Sequence, residues 1–250
     1  MNIAAIFKIK DYEDEAPVDY PIFDMQKTDP FFNELFKGLR AKIEYKIDMA
    51  EIKSIAVSSS IAGEGKTLTS INLAVNMANT GRKKVLLLDM DIRKGSIAQR
   101  LGIRGRMGLS EYLLGGASQD SIIQKTSNPW LYIITSGKRM ESPNDLLAGS
   151  KFRTLLIDLQ SRFDLVIVDT PPILPVPDAV TISEQVGGFI LLFRLKHTPH
   201  YMFRQALEDL GEDKLIGVVV NDEDAKSDKY YQKYYGHYYT SSTTKTAGKS

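Results

Sequence analysis

Residues 58–67 read Ser58-Ser59-Ser60-Ile61-Ala62-Gly63-Glu64-Gly65-Lys66-Thr67, a run of small residues and glycines that ends in a lysine and a hydroxyl. These types in this order suit a phosphate-binding loop. Small residues and glycines let backbone N–H groups converge on the β- and γ-phosphates, Lys66 brings a positive charge, and Thr67 offers a hydroxyl to Mg²⁺. The usual spacing, G-x-x-x-x-G-K-[ST], is met except that Ser60 stands where the first glycine is expected. The predicted cradle for a nucleotide is therefore Ala62, Gly63, Glu64, Gly65, Lys66, Thr67 and Leu68.

Two acidic sites follow apolar runs further along the chain. Asp169 comes after Leu165-Val166-Ile167-Val168 and before Thr170-Pro171-Pro172. It fits a carboxylate that holds Mg²⁺ directly or through water; the alternative is a turn aspartate ahead of a proline pair. Asp89, Asp91 and Arg93 come after Val85-Leu86-Leu87-Leu88. In one reading Asp89 caps a helix and Asp91 pairs with Arg93. In the other, two carboxylates and an arginine add chemistry beside the γ-phosphate that a simple nucleotide hydrolase does not need.

The elements that must position these residues alternate. Phe32, Leu35, Phe36, Leu39 and Ile43 recur at helical spacing, which predicts an amphipathic helix over 31–47 with Glu34, Lys37 and Arg40 on its polar side. A strand over 52–58 leads into the loop, and Leu68, Ile71, Val75 and Ala78 make the helix after it, ending at Gly81. Strands are expected at 85–88, 130–135, 165–168, 188–193 and 215–220, with helices at 107–115, from 150, at 178–186 and at 200–210. Such alternation predicts an α/β fold with a mostly parallel, doubly wound sheet and helices on both faces, whose ligands lie beyond the carboxyl ends of the strands.

The chain has 250 residues, net charge +1, 43% hydrophobic and 25% charged residues. This composition fits one globular domain with appendages. Residues 1–30 read as a flexible acidic arm, 31–225 as the folded domain, and 226–250 as a tail in which Tyr230, Tyr231, Tyr234, Tyr235, Tyr238 and Tyr239 crowd together. There is no cysteine, so neither disulfide nor thiolate chemistry is open, and His197, His200 and His237 lack the spacing of a metal cluster. Near-neutral charge gives no argument for nucleic acid. No apolar run approaches a membrane span, so a cytoplasmic chain is expected.

The run Leu86-Leu87-Leu88-Asp89-Met90-Asp91-Ile92-Arg93 resembles the Walker A′ motif of the bacterial protein-tyrosine kinases. Val166-Ile167-Val168-Asp169-Thr170-Pro171-Pro172 resembles their Walker B, Ala62 to Thr67 their Walker A, and Pro177-Asp178-Ala179 and the tyrosine tail are also similar. Glu34-x-x-Lys37-x-x-Arg40 is similar to their E-x-x-R-x-x-R oligomerisation motif, with Lys37 replacing the first arginine. The resemblance implies a P-loop fold and Mg·ATP-dependent autophosphorylation of the tyrosine cluster in trans. It further implies a homo-oligomer, a transmembrane activator or adaptor that brings the chain to the inner face of the plasma membrane, and a role in surface polysaccharide synthesis or export. Carried over by position, Lys66 would hold the phosphates, Thr67 and Asp169 the metal, and Asp89, near the metal, would accept the phenolic proton with Asp91 and Arg93 in support. Asn221 would contact adenine. The competing reading is an ATPase switch of the ParA and MinD kind; those relatives carry a second lysine early in the loop, where this chain has Ile61.

Overall fold

A computed structural model describes residues 30–105 and 107–221. The chain opens with α1 (Pro30–Met49), then β1 (Ser54–Ser59), α2 (Lys66–Ala78), β2 (Val85–Asp89), α3 (Ile97–Leu101) and α4 (Leu109–Leu114). Next come α5 (Gln119–Ile122), β3 (Gln124–Lys125), β4 (Leu131–Ile134), α6 (Asn144–Ala148), α7 (Ser150–Arg162) and β5 (Leu165–Asp169). The described chain ends with α8 (Asp178–Gln185), β6 (Gly188–Arg194), α9 (His200–Leu210) and β7 (Leu215–Asn221). The expected acidic arm, apart from Pro30, and the expected tail lie outside the described residues.

Seven strands form one sheet in the order β3-β4-β2-β5-β1-β6-β7. All pairings are parallel except the short antiparallel pairing of β3 with β4. The strands β1, β2 and β5 are buried along their whole length, which explains their uninterrupted apolar sequences: with helices on both faces, both sets of alternating side chains meet a core. Ile55, Val57, Leu87 and Ile167 face one core with Ile43 and Ile47 of α1 and Ile71, Leu73 and Met77 of α2. Their neighbours Ala56, Leu86, Leu88, Val166 and Val168 face the other, with Phe152 and Leu155 of α7 and Ile182 of α8.

Strand register sets the functional geometry. Asp89 pairs with Asp169 across β2 and β5, and Asp169 pairs with Val57 of β1. The two predicted carboxylates thus end adjacent strands at the same level, two residues before the sheet gives way to the phosphate loop. Ion pairs from Arg82 to Glu44 and from Lys83 to Asp48 fasten α1 beside the turn between α2 and β2.

The expected helices and strands are present with shifts of one or two residues at their ends. Four elements were not anticipated: α3, α5, α6 and β3. Each has five residues or fewer, too short to display either a helical or an alternating period.

Candidate active site

β1 stops at Ser59, residues 60–65 reverse direction, and α2 starts at Lys66. The reversal uses Gly63 at φ 85° and Gly65 at φ 96°, conformations that a side chain disfavours. A Cβ on Gly65 would also meet the Asn221 side-chain nitrogen at 2.5 Å. The free backbone N–H groups at the start of α2 and the helix dipole together make an anion site. Ser60, at the place of the expected glycine, is fully buried and its hydroxyl has no hydrogen-bond partner among the described residues.

Lys66 is largely buried, 9% exposed, at the first position of α2. Burial lowers its pKa, opposed by the charges of Asp169, Asp91 and Glu64. Asp169 is 1% exposed and accepts a hydrogen bond from the Ser70 hydroxyl at 2.9 Å. Burial raises its pKa to about 6, although hydrogen bonds from Thr67 and Ser70 and the charge of Lys66 pull the other way. Asp89 is fully buried; its carboxylate accepts from the backbone N–H groups of Asp91 and Ile97, both at 3.2 Å. Burial, and next the charge of Asp169, push its pKa well above the usual carboxylate range.

Asp89, Asp91, Asp169, Lys66 and Thr67 are therefore brought together, as the sequence predicts. Two buried carboxylates with raised proton affinity, beside a threonine hydroxyl, are a donor set suited to a hard divalent cation. No group of three or more His, Cys, Asp or Glu among the described residues forms a protein-only metal cage. Mg²⁺ that arrives with a nucleotide needs only one or two carboxylates, since phosphates and water complete its shell.

Arg93 behaves differently from one of the sequence alternatives. It does not pair with Asp91: its guanidinium forks onto Asp178 of α8, at 2.6 and 3.1 Å, and also donates to the Glu141 carbonyl. Asp178 is buried while Arg93 is partly exposed, so this is a part-buried bidentate pair. The Asp91 carboxylate instead accepts from the Lys94 N–H at 2.9 Å. Arg93 thus braces the loop after β2 against α8, and the run Pro177-Asp178-Ala179 supplies the anchor. Asn221 donates to the Glu64 carbonyl at 2.9 Å and so buttresses the phosphate loop. Within the loop, Ala62 is exposed, Glu64 is fully buried, and Leu68 is half-buried on α2.

Three contributors escaped sequence reasoning. Ser70 holds Asp169; Ser96 donates to the Thr67 hydroxyl at 3.3 Å; and the Glu64 side chain is enclosed by donors. The helical spacing of Ser70 to Lys66 was the only available signal for the first. On α1, Lys37 pairs with Glu34 at 2.6 Å within the helix, and Arg40 reaches the Asn76 carbonyl of α2 at 3.5 Å. Tyr230 to Tyr239 fall outside the described residues.

Comparison with known proteins places this site in context. A family model described as an AAA domain matches residues 52–186. Tyrosine-protein kinase YwqD of Bacillus subtilis is 33% identical over 191 residues, which cover 76% of this chain and 80% of that protein. Tyrosine-protein kinase ptk of Acinetobacter johnsonii is 31% identical over 204 residues, 81% of this chain but only 28% of its own length. Among solved structures, the kinase domain of the Escherichia coli tyrosine kinase ETK superposes with a TM-score of 0.75 at 27% identity, covering 86% of this chain and 84% of that one. The septum site-determining protein MinD of Pyrococcus horikoshii, solved with Mg-ADP, reaches 0.59 at 22% identity over 70% of this chain and 72% of its own, and shares the fold alone. A chain that matches four-fifths of YwqD at this identity, with Asp89 and Asp169 ending neighbouring strands beside a phosphate loop, belongs to the family of bacterial tyrosine-protein kinases.

Proposed function

We propose that the chain is an ATP-dependent protein-tyrosine autokinase that phosphorylates Tyr230, Tyr231, Tyr234, Tyr235, Tyr238 and Tyr239 in trans. The observation that carries this reading is the register pairing of Asp89 with Asp169 beside Lys66 and Thr67. A hydrolase site needs one carboxylate for its metal; a second, buried one with raised proton affinity is suited to accept a proton.

Lys66 and the backbone of Ala62 to Leu68 would bind and orient the phosphates of ATP. Thr67, Asp169 and Asp89 would hold Mg²⁺ directly or through water; when bound, the ion neutralises charge on the phosphates. A tyrosine hydroxyl, with a solution pKa of about 10, gives its proton to the Asp89 carboxylate as its oxygen bonds to the γ-phosphorus. ADP leaves with the electron pair of the broken bond. Asp91 and Arg93 keep the loop that carries Asp89 in place. In this reading Asn221 lies close enough to the loop to meet the nucleoside as well.

The wider assignment follows the same family. Residues 31–225 form the catalytic domain, 31–47 its oligomerisation helix with Glu34, Lys37 and Arg40, 1–30 an arm and 226–250 the acceptor tail. The chain would assemble with itself and with a transmembrane activator of surface polysaccharide export, which would place it at the inner face of the plasma membrane. No helix among the described residues is long and apolar enough to cross a membrane. Incubation with Mg·ATP, followed by phosphotyrosine detection and intact mass, tests the reading. Phosphate on several tail tyrosines is expected; ATP turnover without labelled tyrosine would instead indicate an ATPase switch.

A further inference from the structure

Glu64 lies within a loop that meets anions, yet its side chain has no exposed surface. A carboxylate is costly to bury unless donors surround it. Here they do: the Ile61 N–H reaches Oε2 at 2.9 Å, while the Arg194 N–H at 3.4 Å and the Thr198 hydroxyl both donate to Oε1. Arg194 ends β6 and Thr198 lies in the connection from β6 to α9, which is closed on itself by bonds from the His197 and Thr198 N–H groups to the Arg194 carbonyl.

The same connection grips the loop at further points. The Arg194 guanidinium donates to the Gly63 carbonyl at 2.9 Å, and His197 Nε2 lies 3.2 Å from the Ala62 carbonyl. Asn221, whose own carbonyl accepts from the Leu195 N–H, donates to the Glu64 carbonyl. Ala62, Gly63 and Glu64 are thereby each tied to residues 194–198 or to the end of β7, and Ile61 is tied to them through Glu64. The Glu64 carboxylate joins both segments from inside the protein.

We propose that Glu64 and Thr198 are positioning residues of the nucleotide site: their buried carboxylate–hydroxyl contact holds the phosphate loop in its anion-binding shape by fastening it to the β6–α9 connection. The proposal rests on the nucleotide-binding reading above. Both side chains are buried against protein partners, so their effect is on the geometry of the backbone donors. Loss of the contact lets the loop relax into shapes in which those N–H groups no longer converge.

The test uses the full chain, fluorescently labelled ADP with Mg²⁺, and the variants Thr198→Val, Thr198→Ser and Glu64→Gln. Valine keeps the volume of threonine but not the hydroxyl. Thr198→Val is expected to weaken ADP binding roughly tenfold, the size associated with a hydrogen bond to a charged group. It should also raise KM for ATP more than it lowers kcat. Thr198→Ser, which restores the hydroxyl, should bring both back to wild-type values, and ADP should slow amide exchange at Ile61 and Arg194. Should Thr198→Val not fold, Glu64→Gln carries the same comparison, because it has nearly the same shape and can accept from only one side. Folded variants that bind ADP as the wild type does would overturn the positioning role alone. Failure of the wild type itself to bind ADP would overturn the nucleotide reading and this proposal with it.

Discussion

At the scale of single residues, the site is built by placing charge where it is expensive. Lys66, Asp89 and Asp169 are all nearly buried, and only a ligand carrying both phosphate and cation relieves them together. Lys66→Met should lower tyrosine phosphorylation by a hundredfold or more, roughly the size seen on removal of one charged stabiliser, while circular dichroism stays unchanged. Undiminished labelling would detach Lys66 from the site. Asp169 supports a prediction of opposite sign for stability. Its folded pKa of about 6 lies above the unfolded value of about 3.9, so between those values the folded state holds a proton that the unfolded state has released. Metal-free stability therefore falls as pH rises from about 4 to about 6, by roughly 3 kcal/mol in total, and stays reduced above that window. Asp169→Asn should remove phosphorylation and yet raise the metal-free melting temperature at pH 7.5. A melting temperature equal to or below wild type would show that the Asp169 charge is not the burden its burial implies.

At the scale of elements, α1 bears the assembly hypothesis, and the structure sharpens its test. Arg40 is turned onto α2, where its Nε is buried without a partner among the described residues, so reversing its charge would also disturb the fold. Glu34 is partly exposed and, among the described residues, pairs with Lys37 along the same helix, an arrangement worth a few tenths of a kcal/mol. Leu35, Tyr45 and Met49 are exposed on the same helix. Glu34→Lys should therefore leave the melting temperature nearly unchanged and shift sedimentation toward the monomer. An unaltered association state would remove Glu34 from any interface. The elements were legible to unequal degrees. β2 and β5 could be read from their aliphatic runs because burial on both faces forces that composition, and the glycine-rich loop because its positive-φ positions favour glycine. The Arg93–Asp178 pair could not be read, since its partners are 85 residues apart and meet only once α8 packs beside β2. The Glu64 side chain was equally hidden: the motif leaves its position unspecified, and two of its donors, the Arg194 N–H and the Thr198 hydroxyl, come from a segment 130 or more residues away.

At the scale of the whole molecule, the question is how the tyrosines reach the site. Asn221, the last described residue, is bonded to the phosphate loop, and Tyr230 follows nine residues later. Asp89 ends β2, four strands across the sheet from β7, a lateral separation of about 19 Å at the usual strand spacing. Nine extended residues span at most about 30 Å, so chain length alone leaves transfer within one molecule sterically open. A chain returning from β7 to β2, however, must cross above β6, β1 and β5, where the nucleotide itself would sit over the phosphate loop. A second molecule can present the same tyrosines from beyond the end of β2 without that crossing. Labelling per molecule should then rise with protein concentration in the wild type. A chain lacking residues 228–250 should still bind ADP, lose most autophosphorylation, and label a full-length Lys66→Met partner when the two are mixed. Each added phosphate brings about −1.5 to −2 charges to neighbouring tyrosines, so a labelled tail should also loosen the assembly. Concentration-independent labelling, together with an unlabelled Lys66→Met partner, would establish transfer within one molecule and show that the path across the nucleotide is open.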